Sequence, residues 1–216
     1  NSTTINFDVK VDTTAPTLPT PTVPADYVNT AVDVNLAATD DGSGIARIEY
    51  SASGATVIGS TDIIGDQGTV RITADGTTII TATAYDVAGN PSESVTVDVK
   101  IDTVAPTLGY TVVAADPGVL GWQRADATVT RIPGDGGSGI ATTTYTRDDG
   151  SGPDAPLDYD IDGPFILRDG EYTISATTTD RADNSTTIVF DVKVDTTTPL
   201  LPTPDVSPDY VNTTVD

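Results

Sequence analysis

The chain has 216 residues, a net charge of −22, and no cysteine, histidine or methionine. That composition removes thiol and imidazole nucleophiles and bases, soft metal ligands and any disulfide framework. The charge opposes nucleic acid and anionic membrane surfaces and favours cations, and no apolar run approaches the roughly 18 residues needed to span a bilayer. No charged-then-apolar leader opens the sequence, so neither an anchor nor a signal is expected within it. Among the 32 acidic residues only Glu49, Glu93 and Glu171 are glutamate. Aspartate closes turns on its own backbone and also offers hard oxygen ligands, so turn formation and calcium binding both account for the excess.

Taken in chain order, residues 1–12 alternate apolar and polar side chains and predict the last strand of a preceding module. A first module is expected over 13–102. Val32, Val34 and Leu36 alternate with polar residues on one strand, Ile48 and Tyr50 on another, and Val95, Val97, Val99 and Ile101 on a third. Turn signals separate them at Asp40-Asp41-Gly42-Ser43-Gly44, Asp75-Gly76 and Asp86-Val87-Ala88-Gly89-Asn90. A second module, 103–195, repeats the order, with turns at Gly134–Gly139, Asp169-Gly170 and Asp180-Arg181-Ala182-Asp183-Asn184. Its apolar faces are Tyr172, Ile174 and Ala176, then Ile188, Phe190, Val192 and Val194. Residues 196–216 are expected to be a linker and the first strands of a further module.

The sequence repeats itself. Residues 1–33 return as 184–216 with 26 of 33 positions identical, a period of 183 residues, and VDVKIDTVAPTL at 97–108 is a weaker copy midway. Asp12, Asp102 and Asp195 are equivalent, giving modules of 90 and 93 residues. Units of that size fold alone, unlike the short repeats of a solenoid. The fold class read from this pattern is all-β: tandem immunoglobulin-like Greek-key β-sandwiches of about seven strands per module, with no helix. The terminal strands fit either a segment of a longer continuous chain or donor strands that complete neighbouring subunits.

The combination Val11-Asp12-Thr13-Thr14-Ala15-Pro16, Thr39-Asp40-Asp41-Gly42-Ser43-Gly44-Ile45 and Ala82–Asn90 resembles bacterial Ig-like repeats of large cell-surface and secreted proteins. Gly163-Pro164-Phe165 and Asp169–Ile174 extend the resemblance to the second module, which departs at Ala182-Asp183-Asn184 where glycine is usual. The resemblance implies adhesin- or fibre-type stalk modules that carry another domain away from the cell. Fold alone does not fix function.

In a sandwich of this order the linker and two turns meet at one end. Asp12, Asp40, Asp41, Asp86 and Asn90 are therefore expected together in the first module, and Asp102, Asp135, Asp180, Asp183 and Asn184 in the second. Carboxylates so gathered repel unless neutralised, and oxygen ligands from several loops suit the six to eight coordination of calcium. A junctional calcium that stiffens the array is the sharp reading; ordinary Asp-Gly turns without metal are the plain one. Pro16, Pro19, Pro21 and Pro24, Pro106, and Pro199, Pro202, Pro204 and Pro208 favour extended linkers.

Trp122 falls where Tyr27 sits in the first module, and a core plug is preferred over a sugar-stacking platform. Paired aspartates could serve glycoside hydrolysis only across a cleft, which such short loops do not offer, so no enzyme and no catalytic residue is expected. Lys10, Lys100 and Lys193 recur on the last strand as edge-protecting charges, and Asn1, Asn184 and Asn212 head glycosylation sequons. The sequence thus reads as an extracellular surface stalk, adhesin or filament. Its expected partners are neighbouring modules of the same chain or fibre, with self-association into filaments among them. A glycan- or protein-binding module is the alternative.

Overall fold

The structure, a computed structural model, describes residues 3–158 and 163–202. The sequons at Asn1 and Asn212, Pro204, Pro208 and most of the expected third module lie outside the described residues. Within them the protein is all-β, in several sheets and without a helix, so no helix is long and apolar enough to cross a membrane.

The first half contains β1 (Val32–Ala37), β2 (Ile45–Gly54), β3 (Ile58–Ile64), β4 (Gln67–Ile72), β5 (Gly76–Asp86) and β6 (Val95–Ile101). β1 pairs with β4, and the other four form a sheet in the order β3-β2-β5-β6, every pair antiparallel. The period-two pattern decides which faces meet. Val32, Val34 and Leu36 of β1 and Val70 and Ile72 of β4 point inward against Ile48, Ile80, Ala82, Ala84, Val99 and Ile101 of the larger sheet.

The second half contains β7 (Thr107–Ala114), β8 (Trp122–Gln123), β9 (Ala127–Gly134), β10 (Ile140–Asp148), β11 (Leu157–Asp158), β12 (Phe165–Leu167), β13 (Gly170–Asp180) and β14 (Ser185–Val194). A sheet ordered β12-β9-β7 faces one ordered β11-β10-β13-β14-β8, in which β8 runs parallel to β14. Its separate core contains Ala127, Val129, Phe165 and Leu167 against Tyr145, Ile174, Ala176, Phe190, Val192 and Val194. Arg131 follows Ala127 and Val129 inward on β9, and its guanidinium carbon stacks 3.9 Å from the Tyr145 ring centre. Delocalised charge and an aromatic face make that burial tolerable.

Among the described residues, six and eight strands stand where about seven were expected in each module. Proline explains much of the difference. In the second half, residues after Pro106 form β7 and pair along β9 over eight positions. The equivalent stretch of the first half carries Pro19, Pro21 and Pro24, which cannot donate to a ladder, and only a single bridge, Thr17 to Thr39, survives.

Residues 3–11 form no strand, and Ile5, Phe7, Val9 and Val11 are 70–82 % exposed. Their copies Ile188, Phe190, Val192 and Val194 lie on β14, beside β13, with the last three in the core. At about 2 kcal/mol for each buried apolar side chain, the same sequence strongly prefers a partner sheet.

Candidate metal centres

Each candidate centre grows from three short pieces of chain at one end of a sandwich. Asp12 precedes the first bridge, Asp40 opens the loop between β1 and β2, and Asp86 ends β5. The three offer carboxylate oxygens that all lie within 4.8 Å of one another, and Asp102, Asp135 and Asp180 do the same in the second half. Asp86, Asp102 and Asp180 are buried.

Backbone amides hold these carboxylates in nearly identical frames. The Asp40 Oδ2 accepts from the amides of Gly42 (3.1 Å) and Gly44 (2.7 Å), and the Asp135 Oδ2 from those of Gly137 (3.1 Å) and Gly139 (2.6 Å). The Asp12 carboxylate accepts from Thr14 (3.0 Å) and Ser43 (2.5 Å), and that of Asp102 from Val104 (3.2 Å) and Ser138 (2.6 Å). A Cβ on Gly42 or Gly137 would collide with the carboxylate of Asp12 or Asp102, so a side chain at either position would displace a cluster carboxylate. Asn90 and Asn184 act as clamps: the Asn184 amide nitrogen donates to Asp180 Oδ2 (2.9 Å) and to the Asp102 carbonyl (2.8 Å). Asn90 does the same toward Asp86 (2.7 Å) and the Asp12 carbonyl (3.2 Å).

At the two linker aspartates the surroundings favour the ionised form. The Thr14 amide and then Ser43 hold the Asp12 carboxyl below its ordinary value. Burial pushes Asp102 up, but hydrogen bonds from Ser138 and the Val104 amide outweigh it, and that carboxyl too sits low. Asp40 Oδ1 is buried and has no hydrogen-bond partner. An arrangement of three carboxylates with one such oxygen suits a hard cation, which would take its remaining ligands from carbonyls or water.

Of the ten residues proposed from sequence, six form the two clusters and Asn90 and Asn184 brace them. Asp41 and Asp183 lie outside both. Asp41 is exposed, and Asp183 is exposed with φ 67°, the left-handed turn position that Gly89 fills in the first half. A second support lies beside the linker, at the Asp75-Gly76 and Asp169-Gly170 turns read from the sequence. Asp75 accepts from the Thr103 amide and hydroxyl (both 3.0 Å), and Asp169 likewise from Thr196 (both 2.7 Å). The recurring Asp-Gly followed one strand-pair later by Asp-Thr was its signal.

Trp122 and Tyr27 are not core plugs. Both are half-buried beside the last strand, and Lys193 Nζ lies 5.5 Å from the Trp122 ring centre. The Trp122 ring thus lies by the lysine side chain and outside the buried apolar cluster.

No family model and no curated protein matches the chain. Among solved structures it is similar to the D00-D0 domain of intimin (14 % identity, covering 82 % of this chain and 98 % of that one, TM-score 0.39). It is also similar to fibronectin(III)-like modules of CbhA from Clostridium thermocellum (22 %, 83 % and 94 %, TM-score 0.36). A third similarity is to the SrpA adhesin of Streptococcus sanguinis (16 %, 57 % and 94 %, TM-score 0.31). The sandwich architecture described above rests on the chain's own sheets and cores.

Proposed function

We propose that the chain is a length of an extracellular surface stalk, adhesin or filament, built of tandem immunoglobulin-like sandwiches and stiffened by calcium at the module junctions. The observation that carries this reading is the recurrence of one frame at both junctions: Asp12, Asp40 and Asp86, then Asp102, Asp135 and Asp180, each set braced by an asparagine. Each set joins the linker to two loops, so a bound cation would remove bending freedom between modules. In this reading residues 1–12 are the last strand of a preceding module, which supplies the sheet that Phe7 and its neighbours need, and 196–216 begin the next. No catalysis is part of it; the activity is mechanical reach outside the cell.

Thermal unfolding together with small-angle scattering, in calcium and in chelator, tests it. Free calcium at about a hundredfold over Kd adds about 2.7 kcal/mol per site. Chelation should lower the melting temperature and leave a shorter, more flexible particle. Unchanged melting and length would refute calcium stiffening.

A further inference from the structure

The two junction faces of the chain differ. Val28, which bridges Ile101, lies sixteen positions after Asp12, but Gln123, which pairs with the equivalent Val194, lies twenty-one positions after Asp102. The extra residues form a hairpin over 116–124. Its rungs are Arg124 N to Asp116 O (2.9 Å), Gly118 N to Trp122 O (3.0 Å) and Trp122 N to Val119 O (3.1 Å), with an Arg124–Asp116 ion pair at 2.7 Å. Leu120 and Gly121 have φ of 56° and 85°, which makes the tip a type I′ turn. Asparagine or glycine is the ordinary residue there. Here a leucine takes the left-handed conformation while 95 % exposed, beside Val119 at 78 %. The tip borders a groove of about 530 Å³ that includes Trp122, Asp195 and Pro199.

What covers such a tip can be read from the junction inside the chain. There Asp26, Tyr27 and Lys100 of the first sandwich share a groove with Asp180, Arg181 and Asp183 of the second, so the Tyr27 position faces the Asp180–Asn184 turn of the module that follows. Trp122 is the equivalent of Tyr27, because Lys193 pairs with Trp122 as its copy Lys100 lies beside Tyr27. Residues 196–216 copy the start of the first module, not of the second. The turn following the hairpin would then be of the first type, Asp86-Val87-Ala88-Gly89-Asn90, with Val87 67 % exposed. Val87 and Ala88 already border a groove with Lys10 and Val11, the copies of Lys193 and Val194.

We propose that the 116–124 hairpin is a junction key: its Val119–Leu120 tip docks on the Val87–Ala88 turn of the first-type module that follows a second-type module. The contact is apolar at that junction and charged at the other, where Arg181 and Asp183 replace valine and glycine. Alternation of module types is thereby written into the contact faces. The idea rests on the tandem-array reading.

The test is a chain in which the 183-residue period runs twice, with Trp122→Phe in the second copy so that the remaining tryptophan reports the internal junction. Acrylamide quenching of that tryptophan should fall below its level in the 216-residue chain. Leu120→Asn in the first copy, or Val87→Asp in the second, should restore it. Leu120→Asn suits the turn better and should leave the melting temperature of the 216-residue chain undiminished. Quenching equal to that of the 216-residue chain, or protection that survives both substitutions, overturns the docking. Small-angle scattering on the doubled chain separates the two ideas. A particle that lengthens with the added period but leaves the tryptophan accessible refutes only the key, whereas one that does not lengthen refutes the stalk.

Discussion

Substituting Asp135→Asn removes one charge from the second cluster while changing almost nothing else. Asp135 Oδ2 accepts from Gly137 and Gly139, and an asparagine carbonyl keeps both bonds. The other oxygen becomes an amide that can donate toward Asp102 or Asp180, whose ligand atoms lie within 4.8 Å. Two unit charges at that distance in an effective dielectric of about 20 repel by about 3 kcal/mol. Asp135 is only half-buried, and solvent screening leaves about 2 kcal/mol of relief, or a melting temperature ~10 °C higher for a module of this size. That rise is expected in chelator. In calcium the same substitution deletes a ligand, and the melting temperature should fall below that of the unsubstituted chain. The assay is calorimetry of both chains in both solutions, following the second module. A shift of the same sign in the two solutions would refute the reasoning. A rise in both means that no cation is held, and a fall in both means that the carboxylate matters for its bonds and not its charge.

Asp183→Gly relieves a left-handed aspartate, φ 67°, worth about 1 kcal/mol or ~5 °C in the melting temperature of the second module. Its calcium response should stay intact, and loss of that response in the same melting experiment would return Asp183 to the ligand set. Acid should unfold the chain by protonating the carboxylates held low. Asp12, Asp102 and Asp169 are all depressed, Asp169 by Thr196, so their contribution is complete above the unfolded value of about 4 and disappears as pH falls through the lower folded values. Circular dichroism against pH should therefore show stability flat near neutrality and declining below about pH 4; a decline already complete above that pH would contradict the low carboxyls.

The sheets were legible because burial follows parity. Val32, Val34 and Leu36, or Phe190, Val192 and Val194, announce a buried face before any partner is known, and the structure buries all six. The six clustered aspartates were legible because the repeat places the linker and the same two turns at the same end of each sandwich. What was not legible depends on competition that no period reveals. Prolines at 19, 21 and 24 cancel a strand that the second half keeps. Arg131 has the parity of a core residue and the chemistry of a surface one, and a stacked Tyr145 decides in favour of the core. Asp41 sits one residue from Asp40 and Asp183 three from Asp180, yet each turn contributes only one aspartate to its cluster. The Val119–Leu120 hairpin has no counterpart in the first module, so the repeat could not announce it.

The linker shows why a cation would matter mechanically even though the chain is already held without one. The Asp102 amide donates to Val28 O (3.0 Å) in the first sandwich, while its carbonyl and carboxylate accept from Asn184 and Ser138 in the second. Thr103 is gripped from the other side by Asp75. Two adjacent residues thus carry bonds to both bodies, and each such bond contributes only about 1 kcal/mol net in water. Bonds of that size fix a resting angle, but they yield one at a time under load. A cation held by Asp102, Asp135 and Asp180 would couple the linker and both loops in a single step, so bending would have to break the whole set at once. In the proposed reading, the hydrogen bonds set the geometry of the junction, and a cation held by the cluster would set how much force it could bear.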